Sequence, residues 1–115
     1  MEHYRKADYP GAMKDLSTAA ALDPDAAHIR FFLGISYLMS GHDKDAIDQL
    51  RATIALGDSP YLEDAYFYLA KALLRQNDLG GAESQLKKLV QLHGFKSVEA
   101  GRLLAQVERL KQRSD

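Results

Sequence analysis

The element Ala-x-x-x-Leu occurs three times at nearly even spacing: Ala12 and Leu16 in AMKDL, Ala46 and Leu50 in AIDQL, Ala82 and Leu86 in AESQL, 34 and then 36 residues apart. A fixed period of this length constrains a fold more than any local propensity, because a single unit cannot bury its apolar face alone and must stack on the next. The copies also agree upstream of the triplet. RFFLGISYLMSG carries Leu33, Gly34 and Tyr37, and YFYLAKALLRQN carries Leu69, Ala70 and Leu73 at the same offsets.

Turn chemistry separates the units at DPD (23–25), SGHD (40–43), GDSP (57–60), NDLGG (77–81) and HG (93–94). Between them lie stretches with helical periodicity, and none sustains a period-two alternation. The spacing predicts helices near 9–21, 25–40, 44–55, 60–76, 79–92 and 97–112, a partial helix near 2–6, and no strands. Gly34, Ala46, Ala70 and Ala82 fall where paired helices would cross, and only a short side chain lets two helix axes approach to about 8–10 Å. In the stretched linker, Asp58 and Ser59 are placed to cap the next helix and Pro60 to occupy its first position.

With 115 residues the chain is one domain, and at 46% hydrophobic and 27% charged it has the composition of a folded one. Fifteen Lys and Arg balance sixteen Asp and Glu. That balance provides neither the basic footprint of a nucleic-acid binder nor a polybasic membrane stripe, so neither nucleic acid nor direct membrane contact is expected. The longest apolar run, FFLGISYLM at 31–39, is about half of a bilayer span. The absence of cysteine excludes disulfides and thiolate chemistry but leaves the compartment open, cytoplasmic or extracytoplasmic.

These residues resemble the tetratricopeptide repeat, whose pattern is W-x2-L-G-x2-Y, then A-x3-F, then P, over about 34 residues. Leu33, Gly34, Tyr37, Ala46 and Leu50 carry the likeness in one copy; Tyr66, Leu69, Ala70, Leu73, Ala82 and Leu86 carry it in the next. Only the later half survives in the first: Tyr9, Ala12, Leu16, Ala19 and Pro24. Arg30 stands where the pattern has its first aromatic, and Leu replaces Phe after each Ala. The resemblance implies an all-α fold, a right-handed solenoid of antiparallel helix pairs. It would hold a partial repeat at 1–26, repeats at 27–62 and 63–96, and a capping helix at 97–113. That last helix would pack through Ala100, Leu103, Leu104 and Val107 while Arg102, Gln106, Arg109 and Gln112 turn away. Because the first copy lacks most of its first helix, an excised piece or a naturally incomplete copy is expected. Apolar surface near Ala12, Leu16, Phe31 and Phe32 is then expected to need a partner, a second copy of the chain included.

No enzyme is expected. His3, His28, His42 and His93 show no metal-ligand spacing. Asp43, Asp45 and Asp48 superficially suggest a calcium loop, but Ile47 stands where the third ligand belongs and the sixth position is not glycine. They read instead as a helix start, Asp43 capping and Asp45 facing the dipole. Leu79-Gly80-Gly81 has neither a strand before it nor Lys-Ser/Thr after it, so it is no phosphate loop. Catalytic residues, metal ligands and cofactors are therefore all expected to be none.

What remains is recognition, as a non-catalytic module for a peptide or protein segment. In proteins with this repeat, the first helix of each unit lines a concave face. By that resemblance the face would be formed by His28, Phe31, Ile35, Leu38 and Met39 from one copy and Asp64, Phe67, Lys71, Leu74 and Arg75 from the next. The first set is almost wholly apolar; the second mixes apolar and cationic groups, which suits apolar anchors and a carboxylate meeting Lys71 or Arg75. Burial by a neighbouring helix or a second copy explains Phe31 and Phe32 equally well. In the dense aromatic run 61–68, Tyr66 reads as packing and Phe67 as recognition, with Tyr61 and Tyr68 unassigned. Some members clamp chaperone C-termini with Lys, Asn and Arg; Phe32, Tyr68 and Asp64 occupy clamp positions here, so that function is not implied. The run 54–86 is also similar to repeats ending bacterial membrane-anchored proteins with an anti-sigma-type zinc finger. That narrower likeness implies a parent with its metal site and transmembrane helix upstream. The alternative function is a structural spacer or self-association unit of such a larger, membrane-anchored bacterial regulator, its apolar surface pairing with a second copy.

Overall fold

The computed structural model describes residues 9–114; the expected partial helix near 2–6 and His3 lie outside them. Six helices follow in order, α1 (Tyr9–Leu22), α2 (Ala27–Met39), α3 (Asp43–Ala55), α4 (Leu62–Arg75), α5 (Leu79–Gln91) and α6 (Ser97–Ser114), with no strand among the described residues. Each packs on its neighbour in the chain, and α2 also touches α4. The result is an elongated array, 43 × 27 × 22 Å, in which α2/α3 and α4/α5 are the two complete pairs and α6 closes on α5.

The small residues sit at the crossings. Ala46, Ala70 and Ala82 are fully buried, and a Cβ on Gly34 would stand 3.0 Å from Leu50 Cγ, so α2 and α3 approach as closely as they do because that side chain is absent. Leu50, Leu69, Leu86 and Leu89 fill the space between pairs, joined by Ala100 and Val107 of α6. Leu103 and Leu104 are partly buried beside them, while Arg102, Gln106, Arg109 and Gln112 face solvent. Arg30, at the position of the missing aromatic, reaches across instead: its guanidinium donates to Gln49 Oε1 on α3 at 3.1 Å and to the Pro24 carbonyl at 3.2 Å.

The two pairs turn by the same device. After α2 the His42 amide donates to the Tyr37 carbonyl (2.8 Å) and Gly41 to Leu38; after α4, Asp78 donates to Leu73 (2.8 Å) and Asn77 to Leu74. This is the Schellman closure, which needs one residue in the left-handed region: Gly41 at φ 81° in one copy, Asn77 at φ 62° in the other.

Helix starts differ from the sequence reading in two places. Asp43 is the first helical residue, not the cap, and His42 precedes it; the Asp43 carboxylate turns toward α4. Before α4, Ser59 Oγ accepts from the Tyr61 amide and the Ser59 carbonyl from that of Leu62, both at 3.2 Å. Pro60 and Tyr61 thus occupy a turn ahead of the helix, and the two extra residues of this linker lift the Tyr61 ring rather than lengthen α4. Among α2, α3, α4 and α5, it is α5 that carries the expected type of cap: Asp78 Oδ1 accepts from the Gly81 amide at 2.9 Å, and a Cβ on Gly81 would run into that carboxylate.

Candidate partner-binding groove

Where α2 meets α4, aromatic rings form a continuous series. Phe31 lies on α2 with Tyr61 stacked on it at 5.2 Å between centroids, Phe32 edge-on at 5.5 Å and Tyr68 of α4 tilted at 6.3 Å. Phe32 also meets Tyr61 at 5.6 Å, and Tyr68 meets Phe67 edge-on at 5.9 Å. Such offset and T-shaped pairs add about 0.5–1.5 kcal/mol each beyond the area they bury. Phe31 and Phe67 come from equivalent positions in the two copies and both are 7% exposed. They form the floor.

Phe31 therefore does not stand uncovered, as the sequence reading expected of it; rings from α2, the α3–α4 linker and α4 close over it. Ala12 is buried as well, and Leu16 partly so. Of that expected apolar patch, Phe32 keeps a large exposure, 40%.

Phe67 is covered by charge. Lys71 Nζ stands 4.6 Å from the Phe67 centroid and 5.5 Å from that of Tyr68, and Lys96 Nζ stands 4.9 Å from that of Phe67. Lys96 is held from three directions. Its amide donates to Glu63 Oε1 at 3.1 Å, and its ammonium pairs with Asp64 at 3.6 Å and Glu99 at 3.8 Å. A Cβ on Gly94 would run into the Glu63 carboxylate, so a side chain there would have to displace the group that accepts from the Lys96 amide. Lys71 has no carboxylate partner among the described residues.

Arg75, at the far end of α4, is committed to structure. Its Nη1 donates to the Leu38 carbonyl at 3.2 Å, and Nη2 lies 3.3 Å from Asp43 Oδ1, an ion-pair distance without hydrogen-bond alignment, while Gln76 donates to Oδ2. The structure thus gathers Phe31, Ile35, Asp64, Phe67, Lys71 and Leu74 around the α2–α4 seam. Leu38 is buried in a small cluster with Ala46 and Ala72, Met39 is exposed at the end of α2, and His28 is exposed near its start.

Three residues of this surface were missed or unassigned by the sequence reading: Phe32, Tyr61 and Tyr68. Phe32 and Tyr68 are themselves equivalent, 36 residues apart like Phe31 and Phe67, and that recurrence of adjacent aromatics was the available signal. Tyr66 lies elsewhere, with Arg51, Ile54, Leu69, Gln85 and Lys88 around a cleft of about 180 Å³ between α3 and α5. Among the described residues no group of three His, Asp or Glu side chains converges as metal ligands.

A tetratricopeptide-repeat family model matches residues 1–61 and 44–97, which together span most of the chain. The chain belongs to the tetratricopeptide repeat family. No curated protein matches it in sequence. Among solved structures, this repeat protein superposes on the Yersinia enterocolitica type III secretion translocator chaperone SycD with a TM-score of 0.86 at 21% identity, covering 96% of this chain and 79% of that one. SycD in complex with a peptide of the translocator YopD gives 0.85 at 22%, with 96% and 87% covered. MamA gives 0.86 at 22%, and there the repeat protein spans 63% of the other chain. At these identities the likeness is one of fold, a tetratricopeptide-type helical array. It does not extend to the narrower resemblance to anti-sigma-type zinc-finger proteins. No described helix is long and apolar enough to cross a membrane.

Proposed function

We propose that this repeat protein is a non-catalytic binding module that takes a segment of a partner protein along the α2–α4 seam. The observation that carries this reading is the ring series itself: Phe31 and Phe67 are buried as a floor, while Phe32, Tyr61 and Tyr68 present partly open aromatic faces above it. Rigid aromatic faces on well-packed helices give contact area at low entropic cost, which is how a few residues come to dominate an interface. SycD holds a peptide of YopD on the same fold, and that supports a peptide as the form the partner takes here.

Selection of a displayed random dodecamer library against the protein tests it. Enriched peptides should bind the native protein and lose at least tenfold in affinity to Phe32→Ala with Tyr68→Ala, with helicity by circular dichroism unchanged. Enriched peptides that bind native and variant protein alike would sink the seam as the site.

Leu22, 82% exposed at the end of α1, and Phe32 favour a second reading, self-association through the N-terminal end. Light scattering across concentration decides between them: a dimer dispersed by Leu22→Asp supports self-association, and a monomer throughout removes it.

A further inference from the structure

The seam is chemically lopsided, and its cations differ in what they have left to give. Lys96 is neutralised by Asp64 and Glu99, and Arg75 is spent on Asp43 and the Leu38 carbonyl. Lys71 is the exposed seam cation to which the described residues offer no carboxylate, and its ammonium is held in place over two ring faces. A cation resting on π-faces stays charged, gives up little water-facing freedom and still points unused N–H donors outward. The carboxylates at the neighbouring Lys96 are engaged by it: Asp64 and Glu99 by its ammonium, Glu63 by its amide.

Resting on the binding reading above, we infer that the partner segment carries an acidic side chain read by Lys71, close in sequence to the apolar residue that sits on the Phe32–Tyr61–Tyr68 faces. The geometry also bounds the spacing. From the Phe31 ring to that of Tyr68 is 6.3 Å, and from Tyr68 to the Lys71 ammonium 5.5 Å. Phe32 lies a further 5.5 Å beyond Phe31, so the three steps place the ammonium within about 17 Å of the farthest of these faces, a span that about five extended residues cover at roughly 3.3 Å each. An extended segment is therefore one with a bulky apolar residue and an Asp or Glu no more than about five positions away. Lys at that position is selected against by like-charge repulsion.

A synthetic panel tests this without knowledge of the natural partner: fluorescein-labelled Gly/Ser dodecamers with one Leu-Phe anchor and Glu, Gln or Lys placed one to six residues from it, read by anisotropy. On the native protein the best Glu peptide should bind at least tenfold tighter than its Gln twin, at a spacing of five or less, with the Lys twin weaker still. Lys71→Met, which keeps the stem over the rings, should erase the Glu/Gln difference while leaving anchor binding; Lys71→Glu should make the Lys peptide the tightest. A Glu preference that survives Lys71→Met, or equal binding of Glu and Gln peptides, overturns the inference. If binding is charge-blind yet lost in Phe32→Ala, only the acidic partner falls. If no peptide binds, or binding ignores Phe32→Ala, the seam reading falls with it.

Discussion

Phe31 and Phe67 hold the same position in successive repeats and have the same 7% exposure, yet one is roofed by rings alone and the other by one ring edge and two ammonium groups. The roof over Phe31 comes from Tyr61, which the longer linker before α4 brings back over α2; the roof over Phe67 comes from Lys71 one turn on and from Lys96, pinned in the next loop. A repeat can thus conserve a buried position while exchanging what covers it. The exchange matters because ring-on-ring contact is indifferent to salt, whereas cation–carboxylate and cation–π contacts at the surface are screened by it.

The sharpest way to break the comparison is to remove the floor. Phe31→Ala and Phe67→Ala should each cost about 3–5 kcal/mol in urea unfolding, and a large inequality between them would show that the two floors are not equivalent. Next in size is overpacking at the crossings: Gly34→Val, against Leu50, and Ala70→Val should each cost about 1–3 kcal/mol, again in parallel. The roofs come third. Lys96→Met should cost about 1 kcal/mol at low ionic strength and less at about 1 M salt, while the cost of Tyr61→Leu should be the same at both. Equal salt responses would refute the distinction between the two roofs.

The smallest effect belongs to an ion pair away from the seam. The Lys111 ammonium, 2.9 Å from Glu83 and hydrogen-bonded to it, holds that carboxyl below the usual carboxylate range, with Lys87 adding to the effect at 3.9 Å. A depressed carboxyl pKa contributes stability above the ordinary range, and that contribution is lost as pH falls through the lowered value. Glu83→Gln should therefore lower the urea midpoint slightly at about pH 7 and leave it unchanged at about pH 2. A gap that persists in acid would show that the pairing is not its cause.

The fold was legible because its determinants recur. Ala46 and Ala82, Gly34 and Ala70, Leu50 and Leu86 repeat at fixed offsets, and burial follows them closely. The site was legible by position and not by role. Whether Phe31 and Phe67 face a ligand or form a floor depends on Tyr61 and Lys96, each about thirty residues from the ring it covers, and a one-dimensional pattern says nothing of that contact. Arg75 shows the same limit: its place in the repeat suits a ligand, but Asp43, from the preceding pair, takes it first. Asp43 was read as a cap for the same reason, since the partner that claims it lies 32 residues away.

The two ends of α4 are fastened in opposite directions. Glu63 and Asp64 near its start grip the loop that follows α5, while Arg75 at its end grips the preceding pair through Asp43 and the Leu38 carbonyl. Mechanically α4 is a strut tied fore and aft, so it cannot pivot about its midpoint without straining both ties. In an array held mostly by packing between successive helices, that cross-bracing opposes any change in the spacing between the floor and the ammonium above it.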